Sequence, residues 1–344
     1  MKKSFAAFVA ALPVLSYAHA TIELTGTVDV AVESLNKSAN SDIKKSDIRF
    51  TDGVWGGSRV TMSGSEDFGH GLQAIFSLEY DGSADDGTMP DPETFWYGES
   101  YVGLKGGFGT LIFGALSLPM SDAISIGDQS GQVCYNTSSG LAEILTFATN
   151  QINYSSPEIG GVTLLASYAA GEATSKTVTH GNAAGDHPNL SKLDDLYSIG
   201  AIGDWGDFYA SLAYQYNNGA KINALRQRTE LAGSAGLQLG KFGVGFGYGQ
   251  AIDKLINNDK EKTKGYYGSL SLKISDHDDA YLTAVRRITP ASKHHNEDGI
   301  GLSYSHHFTK RTSVYAAFGI SKAQSDGEPD IRPRRIAIGL HHRF

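Results

Sequence analysis

Alternation of apolar and polar residues at period two runs almost the whole length of this chain. Phe208, Ala210, Leu212, Tyr214 and Tyr216 share one face of a segment whose other face carries Tyr209, Ser211, Ala213 and Gln215. Phe242, Val244, Phe246 and Tyr248 alternate with Gly243, Gly245, Gly247 and Gly249. Residues 266–274 repeat the theme, as do Ile336, Ile338 and Leu340 around Ala337 and Gly339. One such segment describes a half-buried strand in any β protein. A whole chain of them describes strands with one face in lipid and the other in an aqueous lumen. Only a closed barrel tolerates that arrangement, because every backbone N–H and C=O in hydrocarbon must find a partner.

The N-terminus points the same way. Lys2 and Lys3 precede a short apolar stretch over 5–15, and Ala18-His19-Ala20 offers small residues at both positions that a signal peptidase reads. The expectation is a cleaved signal over 1–20, cut between Ala20 and Thr21, followed by a single barrel domain over 21–344. No later run approaches the ~20 apolar residues that a spanning helix needs. Of 29 Lys and Arg against 37 Asp and Glu, Lys2 and Lys3 leave with the signal, giving a net charge of −10. That acidity argues against nucleic acid, where a basic stripe is expected. Cys134 is the only cysteine, so no internal disulfide is available.

Connections alternate between short and long. Short turns are expected near 66–70, 106–108, 157–160, 204–206, 240–241, 275–278 and 309–310. Longer polar connections are expected near 35–56, 84–95, 118–148, 173–190, 217–228, 253–263, 289–298 and 323–333. Seven turns and eight loops imply sixteen antiparallel strands, with both termini on the turn side and Thr21 close to Phe344. A soluble sandwich or small lipocalin-type barrel would explain one strand. The signal, the strand count and the strand-end aromatics Tyr80, Tyr168, Tyr214, Phe308 and Phe344 favour a membrane barrel with interfacial girdles.

Several segments carry a family resemblance. Residues 58–72, beginning Ser58-Arg59-Val60-Thr61-Met62, 101–110, beginning Tyr101-Val102-Gly103-Leu104, and 153–161, beginning Asn153-Tyr154-Ser155-Ser156-Pro157, occur in this order. Residues 304–315, with Phe308-Thr309-Lys310, and the terminus Gly339-Leu340-His341-His342-Arg343-Phe344 complete the set. Together they resemble the general porins of Gram-negative bacteria, most of all the beta-proteobacterial branch. The resemblance implies a homotrimeric outer-membrane channel, among lipids and lipopolysaccharide, that passes small hydrophilic solutes and ions. It also implies that a C-terminal strand ending in Phe344 is read by the outer-membrane assembly machinery. It further implies a third loop, here 118–148, that folds into the lumen against basic residues of the wall.

A sixteen-strand barrel is wide enough to hold water, so something must narrow it. The loop over 118–148 carries Asp122, Asp128 and Glu143 and no Lys or Arg. Parity places Arg59, Glu79, Glu99 and Tyr101 on inward faces, with Lys273 and Arg335 inward on other strands. Anion-selective members present arginines at positions matching Arg59, Glu99 and Phe147, and only Arg59 matches here. The expected constriction is therefore Arg59, Glu79, Glu99, Asp122, Asp128, Glu143 and Phe147, with a mild cation preference. His306-His307 and His341-His342 are neighbours on strands, so each pair points to opposite faces and cannot chelate one ion. No metal site and no cofactor are expected. An outer-membrane lipase or protease would need a clustered nucleophile and base, which no motif supplies. A substrate-selective channel would want an aromatic slide, and Trp55, Trp96 and Trp205 do not suggest one.

Overall fold

The alternation becomes one continuous antiparallel sheet. The computed structural model describes residues 20–36, 47–89, 94–131, 133–135, 141, 144–170, 195–218, 225–289, 295–325 and 330–344. Its strands are β1 (Ala20–Asn36), β2 (Asp47–Thr51), β3 (Ser58–Gly69), β4 (Leu72–Gly82), β5 (Ser100–Gly106), β6 (Gly109–Ser117), β7 (Phe147–Ser155) and β8 (Val162–Ala169). They continue as β9 (Leu196–Asp204), β10 (Phe208–Asn217), β11 (Leu225–Leu239), β12 (Phe242–Leu255), β13 (Lys260–Lys273), β14 (Asp278–Ile288), β15 (His295–His307), β16 (Thr312–Ser325) and β17 (Arg334–Arg343). One short helix, α1 (Pro119–Ser125), lies between β6 and β7.

Closure is made by β1, which pairs with β17 from Thr27↔Arg343 to Asn36↔Arg334. Its other edge pairs with β3 from Ala20↔Glu66 to Thr27↔Arg59 and with β2 from Ala31↔Thr51 to Leu35↔Asp47. The barrel therefore has sixteen strands, and β2 is an extra piece stacked end to end with β3 along the same edge. Ala20 and Phe344 both lie on the turn side, but Thr21 is not beside Phe344. Phe344 exchanges backbone hydrogen bonds with Gly26 at 3.1 Å each way, whereas Thr21 pairs with Ser65. Seven residues of β1, Ala20–Gly26, run past the end of β17, roughly 23 Å of chain. Closing a sheet into a barrel requires this stagger.

Two expected connections also differ. The stretch over 35–56 contains β2, and that over 253–263 shrinks to the reversal between Leu255 and Lys260. In both, polar residues read as loop are strand residues facing inward. Asp253 pairs with Glu261 along the strands and is held by Arg228 inside the barrel. Turn chemistry is as simple as the short spacings suggest. At the β3–β4 reversal His70 and Gly71 both have positive φ, 56° and 76°, the backbone twist that joins two antiparallel strands most tightly.

The two faces of the sheet differ as the alternation requires. Leu212, Phe246, Ile300 and Ile338 stand 50–62% exposed on the outer surface. Their inward neighbours Ser211, Ala213, Ala337 and His341 are buried. An unbroken outer belt of exposed apolar side chains is far larger than a soluble monomer tolerates. The packed core lies inside, between the loop following β6 and the inner wall: Leu118, Met120, Ala123, Ile124, Leu141 and Leu145 against Ala213, Ala232, Tyr267 and Val285. No helix among the described residues is long and apolar enough to cross a membrane.

Candidate pore constriction

The loop between β6 and β7 enters the barrel at its base, where the Leu118 N–H donates to the Thr146 carbonyl at 2.8 Å. Pro119 starts α1, where a missing N–H costs nothing and a fixed φ suits the first helical turn. The helix lies along the inner faces of β8–β12, and Ser211 Oγ donates to the Ala123 carbonyl at 3.1 Å. Beyond it the Gly127 N–H donates to Ser234 Oγ at 3.0 Å and the Gln129 N–H to Ser269 Oγ at 2.8 Å. Gln129 also donates through its side chain to the Tyr209 hydroxyl.

The loop can lie this close because glycines leave gaps between the side chains of the wall beneath it. A methyl group at Gly245 would overlap the Gly127 carbonyl oxygen, and one at Gly301 would overlap the Tyr135 carbonyl oxygen. The alternating glycines of β12, which look in the sequence like simple strand punctuation, are where the loop lands.

Farther along, Cys134 Sγ lies 2.9 Å from Ser303 Oγ, and burial pushes the thiol up to about 11. Thr283 Oγ1 donates to the Tyr135 carbonyl at 2.8 Å. The Tyr135 hydroxyl donates to Glu33 Oε1 at 2.8 Å, and the Arg335 guanidinium lies 5.3 Å from its ring centre. Returning to β7, the Leu145 N–H donates to Glu230 Oε1 at 3.0 Å. Glu230 also accepts from Arg228 at 2.7 Å, and Arg228 reaches Asp253 at 2.9 Å. The described residues of the loop are thus tied to the wall at several points.

Among the expected site residues, Arg59, Glu79, Glu99 and Asp122 are brought near one another. Glu79 and Glu99 sit on neighbouring backbones, with the Glu79 N–H donating to the Glu99 carbonyl at 2.9 Å. Glu79 accepts from Thr61 Oγ1 at 2.9 Å and lies 3.8 Å from Arg59 Nη1. Arg59 in turn donates through Nη2 to the Gly56 carbonyl at 3.1 Å. Glu99 accepts the Ser117 N–H at 3.2 Å, just where the inward loop begins. Asp122 stands on the exposed side of α1, enclosed by the wall. That partial desolvation, and then the Glu99 carboxylate, push its pKa up to about 6.

The other expected residues stand apart. Asp128 turns its Oδ1 to the Ser130 N–H at 2.9 Å on the far stretch of the loop. Phe147 is 5% exposed, paired with Ser117 at the loop base, and offers no surface to a passing solute. Glu143 lies outside the described residues, as do residues 1–19 of the expected signal. Of the histidine pairs, His306 faces out to Asp278 at 2.8 Å and His307 faces in to Asp279 at 2.9 Å.

Trp55 was missed by sequence reading. Residues 52–57 leave the sheet between β2 and β3 and turn inward, so that the Trp55 indole stacks on His341 with centroids 4.4 Å apart. The signal for this lay in Gly53, Gly56 and Gly57, all at positive φ.

A closed β-barrel, apolar outside and polar within, narrowed by an inward loop, defines a water-filled transmembrane channel. A family model for the Gram-negative porins matches residues 5–325; the chain belongs to the Gram-negative porin family. Similar proteins include the major outer membrane protein P.IB of Neisseria gonorrhoeae, 27% identical with both chains covered completely. The corresponding protein of Neisseria meningitidis serogroup B is 25% identical over the same full coverage. Among solved structures, an anion-selective porin from Comamonas acidovorans superposes with a TM-score of 0.77 at 21% identity, covering 95% of this chain and 100% of that one. OmpF of Salmonella typhi in complex with daunomycin gives 0.67 at 12% identity, covering 94% and 97%. The chain is an outer-membrane porin, a channel for solute diffusion.

Proposed function

We propose that this porin passes small hydrophilic solutes and ions passively with a mild preference for cations. The reading rests on the carboxylates of Glu79, Glu99 and Asp122 around the opening, where Arg59 is the matching cation and is already drawn to Glu79. Confined carboxylates raise the local cation concentration, and low-dielectric walls focus their field. Asp128 and Glu143 belong to the same proposal as the acidic side of the inward loop, and Phe147 as a packing residue at its base. The anion selectivity in the name of the Comamonas porin belongs to that protein, and its likeness to this chain is one of fold.

A homotrimer is part of the proposal. It is supported by the outer faces of β1–β3, where Ile22, Leu24, Ile48, Phe50 and Val60 form an apolar, cation-free surface near the closing seam. Phe344, whose ring lies over Gly26, would serve as the assembly signal, and cleavage between Ala20 and Thr21 would release β1 to pair with β3. Lipopolysaccharide and outer-membrane lipids would surround the assembly.

The test is reconstitution in liposomes with sugars of increasing size. Swelling rates should fall smoothly with solute size and show no saturation. A rate that saturates with one sugar and excludes others of equal size would replace passive diffusion with a substrate-selective channel.

A further inference from the structure

The inward turn over 52–57 is built more firmly than a chance loop excursion. The Trp55 N–H donates to Asp29 Oδ2 at 2.7 Å and the Val54 N–H to the Tyr315 hydroxyl at 2.7 Å. The Tyr315 hydroxyl in turn donates to Asp29 Oδ1 at 2.8 Å. Ser58 donates through Oγ to Asp52 at 2.6 Å, and the Asp29 N–H donates back to that Oγ at 3.1 Å. A side chain at Gly53 would overlap the Asp29 carboxylate. This network carries an indole across the inner faces of three strands, edge-on to Tyr315 at 6.0 Å and to His307 at 5.9 Å.

Two guanidinium groups flank that indole. Arg343 lies 6.0 Å from the Trp55 ring centre. Arg59 holds the carbonyl of Gly56, next in the chain after Trp55. Thr27 pairs with Arg343 on one side and Arg59 on the other. The two arginines therefore stand in one row of the sheet, their Cα atoms about 10 Å apart, both pointing inward. Arg343 donates to His341 Nε2 at 3.2 Å, and among the described residues no carboxylate lies in ion-pair range of it. The acids facing this place have partners: Asp29 with Trp55 and Tyr315, Asp52 with Ser58, Asp279 with His307, and Glu79 with Thr61 and, more loosely, Arg59, while Asp81, cross-strand from Arg59, is hydrogen-bonded to Glu79.

We propose that Trp55, Arg59 and Arg343 form a subsite for planar organic anions, aromatic carboxylates above all, at the periplasmic end of the lumen. The carboxylate would sit between the two guanidinium groups, whose forked donors suit it, and the ring would lie on the indole. The repulsion of nearby Glu79 keeps residence brief, as a channel requires. The subsite rests only on the chain being an open porin, and the sign of its ion preference does not enter.

The experiment uses the purified full-length protein in planar bilayers, with benzoate added to the periplasmic side and acetate and cyclohexanecarboxylate as controls. Benzoate should block the current in a concentration-dependent way, more strongly from the periplasmic side, while the controls do so weakly. Trp55→Ala and Arg343→Gln should each raise the half-blocking concentration about five- to tenfold. Heat-modifiable migration on gels reports whether each variant forms a barrel. Should Trp55→Ala fail to do so, Trp55→Leu and Arg343→Gln give the same reading. Equal block by benzoate and cyclohexanecarboxylate, or a block unchanged in the folded variants, would overturn the subsite. The K⁺/Cl⁻ preference, measured on the same bilayers, separates this result from any failure of the cation reading.

Discussion

The two inner walls of the barrel both carry charged groups and treat them in opposite ways. On the wall of β11–β15, Arg228 is locked to Glu230 and Asp253, and Arg287 to Glu297, at 2.7–2.9 Å with side chains nearly sealed from water. On the wall of β3–β5, Arg59 and Glu79 meet only at 3.8 Å, and Glu99 lies close enough to Asp122 of α1 to raise its pKa. The first wall is covered by the inward loop and uses its charges to hold that loop in place. The second is less tightly paired, and under the proposed cation preference its charges would act on whatever passes. Under the proposed reading, selectivity depends less on the number of lumen charges than on those the fold leaves loosely paired.

Breaking the covered wall should have the largest effect. Arg228→Ala strands two buried carboxylates, a loss of about 3–5 kcal/mol for a pair this well buried. The expected outcome is a lower thermal transition of the barrel and a raised, noisier conductance as the loop loses its hold. Unchanged stability would show that the network is incidental. Next comes Gly245→Val, which puts a side chain where the Gly127 carbonyl lies. Overpacking there should displace the loop at a cost of roughly 1–3 kcal/mol and enlarge single-channel conductance without abolishing trimers on gels.

On the second wall the effects should be smaller and confined to ions. Glu99→Arg is expected to move the zero-current potential toward anions, whereas Asp85→Arg, in the exposed β4–β5 connection, should move it far less. Salt should screen the outer change more than the inner one. The smallest effect concerns pH. With its pKa near 6, Asp122 is charged above that value and neutral below it. Cation preference should therefore fall as pH drops from 7 to 5, and Asp122→Asn should remove that step. A step of equal size in the variant would assign it to another group.

The barrel was legible in the sequence because lipid and lumen impose a strict alternation on every strand, and turns interrupt it at regular intervals. Arg59, Glu79 and Glu99 were legible for the same reason, since parity alone turns them inward. What escaped is what the inner faces do with one another. Val54 meets Tyr315, and Cys134 meets Ser303, across sequence distances that no local pattern spans. The glycines of β12 show in a sequence only as missing side chains, and their use appears once the loop lies on them. Phe147 reads as a lining residue by position, but a bulge between Gly114 and Leu116 shifts the register where it pairs. Polar strand ends at Asp253 and Glu261 read as loop because an inward face in water has the same composition as a loop.

The central claim is that the second wall sets ion preference, and the zero-current potential across a KCl gradient tests it most directly. The wild-type channel should show a modest potential of cation-selective sign that shrinks at high salt. In the triple variant Glu79→Gln, Glu99→Gln, Asp122→Asn, Arg59 should turn that sign toward anions. A wild-type channel that is clearly anion-selective, or a triple variant with unchanged potential, would contradict the account.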